Sequence, residues 1–199
     1  IVKNADVYII AVSDTAIEEV VDDLSFPGKV VAHTAASVPK EILQHVTSHY
    51  GVFYPLQSLR KEMTDLPEIP IFTDGSDAQT KKTLSSLAQS ISPEQVTEAG
   101  DEARLKMHVA AVIVSNFTNH LYKLANDYCK KEGIDFNQLL PLINETTHRL
   151  QEVEPAKAQT GPAVRHDKET IQKHLHLLSR HPQLQKIYQL LSESIETGA

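Results

Sequence analysis

From residue 101 to 133 apolar side chains fall at nearly every angle of a 3.6-residue wheel, most densely in His108-Val-Ala-Ala-Val-Ile-Val-Ser-Asn-Phe117. The pattern predicts a helix buried on most of its circumference. Its ends agree with that reading: Asp101 and Glu102 open it, Lys130 and Lys131 close it, and Gly133 follows as a left-handed stop. At about 1.5 Å per residue it would run roughly 45 Å, longer than one small domain needs, so something else must cover part of it.

Ahead of this helix the apolar runs are short. Residues 7–12 read as a strand buried on both faces of a parallel sheet. Thr15 and Glu18 form a capping-box pair for a helix with Ile17, Val20, Val21 and Leu24 on one face, ended by Pro27-Gly28. A second strand over 29–34 completes a βαβ unit, whose crossover is expected to be right-handed. Ser37 and Pro39 mark another helix start, with Ile42, Leu43 and Val46 as its buried side. Strands follow at 52–54 and 70–73, separated by a polar loop over 60–70. Ser76 with Gln79 caps a helix through residues 80–91, and a last strand lies near 95–97.

After Asp101 no strand pattern recurs. Helices are predicted over 136–152 behind Asp135 and Gln138, over 168–179 behind Asp167, and over 183–195 behind His181-Pro182. The connection over 154–166 carries two prolines and a glycine, and loops of this length inside a helical domain are often functional. The fold class is therefore α/β: part of a Rossmann-like parallel sheet over 1–100, followed by an all-α domain over 101–199.

Composition narrows the possible partners. A net charge of −7 with scattered Lys and Arg argues against nucleic acid and against an anionic membrane surface. The apolar runs are far too short to span a bilayer and no signal-peptide pattern is present, so a cytoplasmic location is expected. The single cysteine, Cys129, sits at helical spacing from apolar neighbours and reads as a buried thiol. The chain opens Ile1-Val-Lys-Asn with no Met and runs almost directly into a strand, which suggests that an N-terminal piece precedes it.

In open α/β sheets ligands bind beyond the carboxyl ends of the strands. Here those positions are Val12-Ser13-Asp14-Thr15, His33-Thr34-Ala35-Ala36 and Tyr54-Pro55-Leu56-Gln57, where small and hydroxyl side chains let a cofactor approach the backbone. The same residues serve equally well as ordinary helix caps. The seven glycines contain no Gly-x-Gly-x-x-Gly cluster, so the phosphate loop is missing from these residues. No metal site is expected: His174 and His176 point opposite ways on a helix, and no histidine pair has zinc-helix spacing with a carboxylate beside it. Asn116 and His120, four apart beside Val109 and Ile113, share a face of the long helix and need polar partners there.

Three stretches taken together resemble a known family: Tyr54-Pro-Leu-Gln-Ser58; Lys106-Met-His-Val-Ala-Ala-Val112 with Ser115-Asn116; and Gly161-Pro-Ala-Val-Arg-His-Asp167 with His174. They look like the motifs of a Rossmann-like oxidoreductase family whose helical C-terminal domain has no assigned function. That family is similar in architecture to pyrroline-5-carboxylate reductase, ketopantoate reductase and the 6-phosphogluconate dehydrogenase superfamily. The resemblance implies an NADP-binding domain (NAD being the alternative cofactor), homodimerisation around the long helix, and a cleft where a nicotinamide faces a small substrate. The hydroxyacid dehydrogenase branch follows a lysine on this helix with an asparagine four residues later, whereas here Lys106 is followed by Ala110. His108 fits the family's own motif better, as a general acid in hydride transfer to C=O or C=N, with Asn116 orienting the substrate.

Cofactor contacts are thus expected from Val12, Ser13, Asp14, His33, Thr34 and Ala35, and substrate contacts from Tyr54, Pro55, Gln57, Lys106, His120, Gly161 and Arg165. Arg165 offers a planar fork for a carboxylate on a loop that Gly161-Pro162 can turn. The other reading is a non-catalytic dimeric nucleotide-binding or regulatory protein of the same fold.

Overall fold

The computed structural model describes residues 2, 4–59, 62–63 and 67–198. It forms two compact units, Ile1–Phe117 and Thr118–Ala199. The first is built on β1 (Val7–Ile10), α1 (Ile17–Asp22), β2 (Val30–His33), β3 (His49–Pro55), β4 (Ile71–Gly75), α2 (Ala78–Ile91), β5 (Val96–Glu98) and α3 (Asp101–Ala111), which runs on into a π-helical segment, Val112–Phe117.

The five strands make one sheet in the order β1-β2-β3-β4-β5. Pairings β1–β2, β2–β3 and β4–β5 are parallel, but β4 runs antiparallel to β3, with Val52 opposite Asp74 and Tyr54 opposite Phe72. The sheet is thus mostly parallel, as expected, with one antiparallel pairing. A parallel neighbour needs a crossover, usually a helix, and among the described residues none lies between Pro55 and Ile71. Of the loop predicted over 60–70, residues 60, 61 and 64–66 lie outside the described residues.

Strand alternation gives the sheet two coated faces. On one, Ile10 and Val31 pack with Ile17, Val21, Leu43 and Val46. On the other, Ala32, Phe53 and Ile71 pack with Leu84 and Ala88 of α2. Gly51 faces α2, and a Cβ there would come within 2.3 Å of the Asp74 carbonyl and 2.6 Å of Leu84 Cδ1. Only glycine lets helix and strands approach so closely.

Other expectations change in detail. β1 is not buried on both faces, since Ile9 on this edge strand is exposed. The helix predicted after Ser37 and Pro39 is a single 3₁₀ turn, Lys40–Leu43, behind an extended Pro39; it still buries Leu43. No capping box forms at Thr15, whose hydroxyl lies beside that of Ser13. Asp77, not Ser76, caps α2: its carboxylate accepts from the Thr80 amide at 2.9 Å and the Thr80 hydroxyl at 2.7 Å. Ser76 instead bridges strands, donating to the Ser48 carbonyl and accepting from the Tyr50 amide.

The second unit holds α4 (Thr118–Glu132), α5 (Leu140–Arg149), α6 (Pro155–Ala158), α7 (Lys168–Leu177) and α8 (Pro182–Thr197). Asp135 accepts from the Asn137 amide and so opens a 3₁₀ turn, Phe136–Leu139, ahead of α5. Asp167 caps α7 through the Thr170 amide, and Gly198 closes α8 in the left-handed conformation. His181 Nε2 meets Glu132 at 2.8 Å and His174 Nδ1 meets the Tyr188 hydroxyl at 2.7 Å, tying α4 to the turn before α8 and α7 to α8. Cys129 is buried and free. No helix among the described residues is long and apolar enough to cross a membrane.

Gly51→Ala is expected to lower unfolding stability by about 3 kcal/mol or more, because the added methyl meets backbone as well as a side chain. Urea denaturation checks this. A neutral or stabilising result would show that α2 and β4 can give way.

Candidate active site around Tyr54 and His108

The long helix is not buried in the way its apolar pattern predicts. Val109, Ile113, Val114 and Phe117 are 54%, 53%, 72% and 59% exposed, whereas Arg104 is 1% exposed. Asp101, Arg104 and His108 are three and four residues apart and so form one stripe of α3. That polar stripe is the inward one.

Arg104 holds the loop leaving β2. Its Nε donates to the Ala36 carbonyl at 3.1 Å, and its Nη2 donates to the Val38 carbonyl at 2.7 Å and to Asp101 at 2.8 Å. Four residues on, His108 Nδ1 lies 3.1 Å from the Tyr54 hydroxyl. Tyr54 is placed there by β3 and packs beside Phe72, its cross-strand partner. Burial raises the tyrosine's pKa, the Asp14 carboxylate adds to the rise, and the Arg104 charge opposes it. Tyr54 therefore keeps its proton at neutral pH.

The pair stands on the wall of a cavity of about 430 Å³, which Gln57, Met107, Val114, Ser115 and Asn116 also line. At an α-helical pitch Asn116 would stand about 80° round the helix from His108. The wider π turn over Val112–Phe117 carries it back towards the same side.

The other predicted site residues are distributed as follows. Val12, Ser13 and Asp14 are exposed just beyond β1, and Asp14 accepts a hydrogen bond from the Ser37 hydroxyl. Thr34 is half-buried, while His33 and Ala35 are buried, so their side chains underlie the surface there. Pro55 ends β3 and is not part of the cavity wall. Lys106 points away on the exposed side of α3, its Nζ 2.6 Å from Glu102. His120, Gly161 and Arg165 belong to the second unit. His120 is exposed, Gly161 takes φ 108°, and exposed Arg165 lies near enough to Asp167 to help lower that carboxyl's pKa, after the two Thr170 hydrogen bonds.

Arg104 went unnoticed in the sequence because it lies in a strongly apolar wheel. The available signal was its spacing, three after Asp101 and four before His108. His33 shares its surroundings. The ring is fully buried, its Nδ1 accepts from the Ala35 amide at 3.2 Å, and a neutral ring must then carry its proton on Nε2. Neither His33 Nε2 nor Arg104 Nη1 has a hydrogen-bond partner among the described residues. Burial, reinforced by the Arg104 charge, lowers the His33 pKa to about 4.

The family model described as "Domain of unknown function (DUF2520)" matches residues 69–195. The chain belongs to this family. A crystal structure of a Bacteroides fragilis protein, provisionally named an NADP oxidoreductase, matches with a TM-score of 0.86 and 39% identity, over 97% of this chain and 76% of that one. A Thermotoga maritima protein, TM1727, matches with a TM-score of 0.76 and 21% identity, over 96% of this chain and 80% of that one. A Mycobacterium avium protein, provisionally named an oxidoreductase, matches with 0.60 and 16%, over 98% and 78%. At such identities the last two establish the fold alone, Rossmann-like with a helical domain. No protein of curated function matches the sequence.

The buried His33 predicts a pH dependence. Its pKa is lower in the folded chain than the ordinary 6.5, so between those values the unfolded chain binds the proton and the native one does not. Its contribution is complete above about pH 6.5 and is lost as pH falls to about 4, on the order of 3 kcal/mol. His33→Asn, which can still accept from the Ala35 amide, should flatten that limb of a plot of urea midpoint against pH. Parallel profiles for the two proteins would contradict the assignment.

Proposed function

We propose that this chain belongs to an NADP-dependent oxidoreductase that reduces a small C=O or C=N compound, with Tyr54 and His108 delivering the proton. The observation that carries this reading is the Tyr54–His108 hydrogen bond on the cavity wall. The name of the Bacteroides fragilis relative supports the reaction class and the choice of NADP. So does the architectural resemblance to pyrroline-5-carboxylate reductase, ketopantoate reductase and the 6-phosphogluconate dehydrogenase superfamily.

The residues beyond β1 and β2 fit a dinucleotide in part. Exposed Val12, Ser13 and half-buried Thr34 leave the backbone approachable, and buried His33 and Ala35 support it from beneath. A reduced nicotinamide, when bound, supplies the hydride. Tyr54 gives its proton to the substrate oxygen or nitrogen as the carbon is reduced, while His108 passes its Nδ1 proton to the Tyr54 oxygen and takes up one from solvent at Nε2. Asn116, with Gln57, orients the substrate by hydrogen bonds. A second copy of the chain would cover the exposed apolar residues Val109 and Phe117.

NADPH oxidation by the full-length protein, screened over small carbonyl and imine compounds bearing a carboxylate, tests the reading. Tyr54→Phe should lower kcat about a hundredfold and leave NADPH affinity nearly unchanged. Absence of NADPH binding, or an unchanged kcat in the variant, would overturn it.

A further inference from the structure

Among the described residues of the first unit Arg104 is the most deeply buried charged side chain, and it neither lines the cavity nor reaches the surface. Its contacts lead in two directions. Through Ala36 and Val38 it grips the loop that leaves β2, the same loop whose Ser37 hydroxyl donates to Asp14 beyond β1. Both proposed cofactor-contacting segments are therefore joined to one another and to Arg104. Along α3 the next inward residue is His108, one turn on, hydrogen-bonded to Tyr54.

The loop is also held by packing, with Ala35 and Ala36 buried and Val38 against the core, and by two backbone hydrogen bonds at its start. Thr34 donates its amide to the Ile10 carbonyl and Ala35 donates its amide to His33, but the Ala36 and Val38 carbonyls turn inward to the guanidinium. A planar fork can meet two carbonyls and the Asp101 carboxylate together; an ammonium at the same place can reach fewer acceptors, and with less defined direction. Simple filling of space would not call for that arrangement. An apolar residue of similar size would pack at this position without any need to dehydrate a charge.

We propose that Arg104 is a positioning residue, fixing the loop over residues 36–38 and the helix bearing His108 in one common placement, so that the dinucleotide-contacting segments and the proton-delivering pair are held in register. The proposal rests on the oxidoreductase reading for what the two ends bind, but the mechanical link itself does not.

Arg104→Lys and Arg104→Ala, made in the full-length protein, test it with two readouts: NADPH affinity by calorimetry, and the His108 imidazole signals by NMR. Tyr54→Phe supplies the reference signal for a His108 that has lost its partner. In Arg104→Lys, NADPH should bind about tenfold more weakly, as expected for one lost charge-assisted hydrogen bond, and the His108 signals should move towards the Tyr54→Phe reference. Guanidinium ion at millimolar concentration should restore both in Arg104→Ala, which a purely structural loss would not allow. A His108 signal unchanged in both variants would overturn the proposal, whatever happens to the affinity. So would loss of the fold in both variants by circular dichroism, since Arg104 would then be a support of the core only. If the wild-type protein binds no NADPH, the functional reading fails while the NMR shift still decides the role of Arg104.

Discussion

Taking a guanidinium out of water costs several kcal/mol unless its hydrogens find acceptors. Arg104 meets most of that demand at two backbone carbonyls and one carboxylate, leaving Nη1 without a partner among the described residues, and the loop after β2 is thereby fixed to the first turn of α3, on the stripe that continues to His108. The field of the same charge reaches further. It helps to keep buried His33 neutral and partly offsets the rise in the Tyr54 pKa. Burial of one cation thus bears on geometry and proton affinity together.

The π segment that follows α3 acts on the same surface. Residues in the long helix that would diverge at a regular pitch, His108 and Asn116, both face one cavity because the helix widens between them. Polar side chains face inward over one stretch of this helix and apolar ones outward, the reverse of an amphipathic surface helix. That inversion has a structural consequence: the apolar residues Val109 and Phe117 remain as exposed surface that a second copy is proposed to cover.

Much of the fold could be read from the chain because local rules suffice for it. The order of strands and helices follows from the apolar runs and their periods, and Asp167 and Gly198 end helices for reasons internal to their own few residues. What was hidden depends on contacts between distant segments. The reversal of β4 is decided by its pairing with β3, and no residue of β4 carries that information alone. Ser76 looks like a cap, but Tyr50 and Ser48 claim its hydroxyl across the sheet, leaving the cap to Asp77. The burial of Arg104 is the clearest case. An arginine in a helix is ordinarily a surface residue, and the carbonyls that reverse that expectation lie more than sixty residues earlier in the chain. Tyr54 and His108 each stood out by motif; their contact did not.

The cavity beside Tyr54 and His108 is the proposed place of reaction. A crystal structure of the full-length protein with bound NADPH tests this most directly. The nicotinamide ring is predicted to lie against the wall formed by Tyr54, His108 and Asn116, with its reactive face open to the cavity. A ring bound away from these three residues would contradict the account.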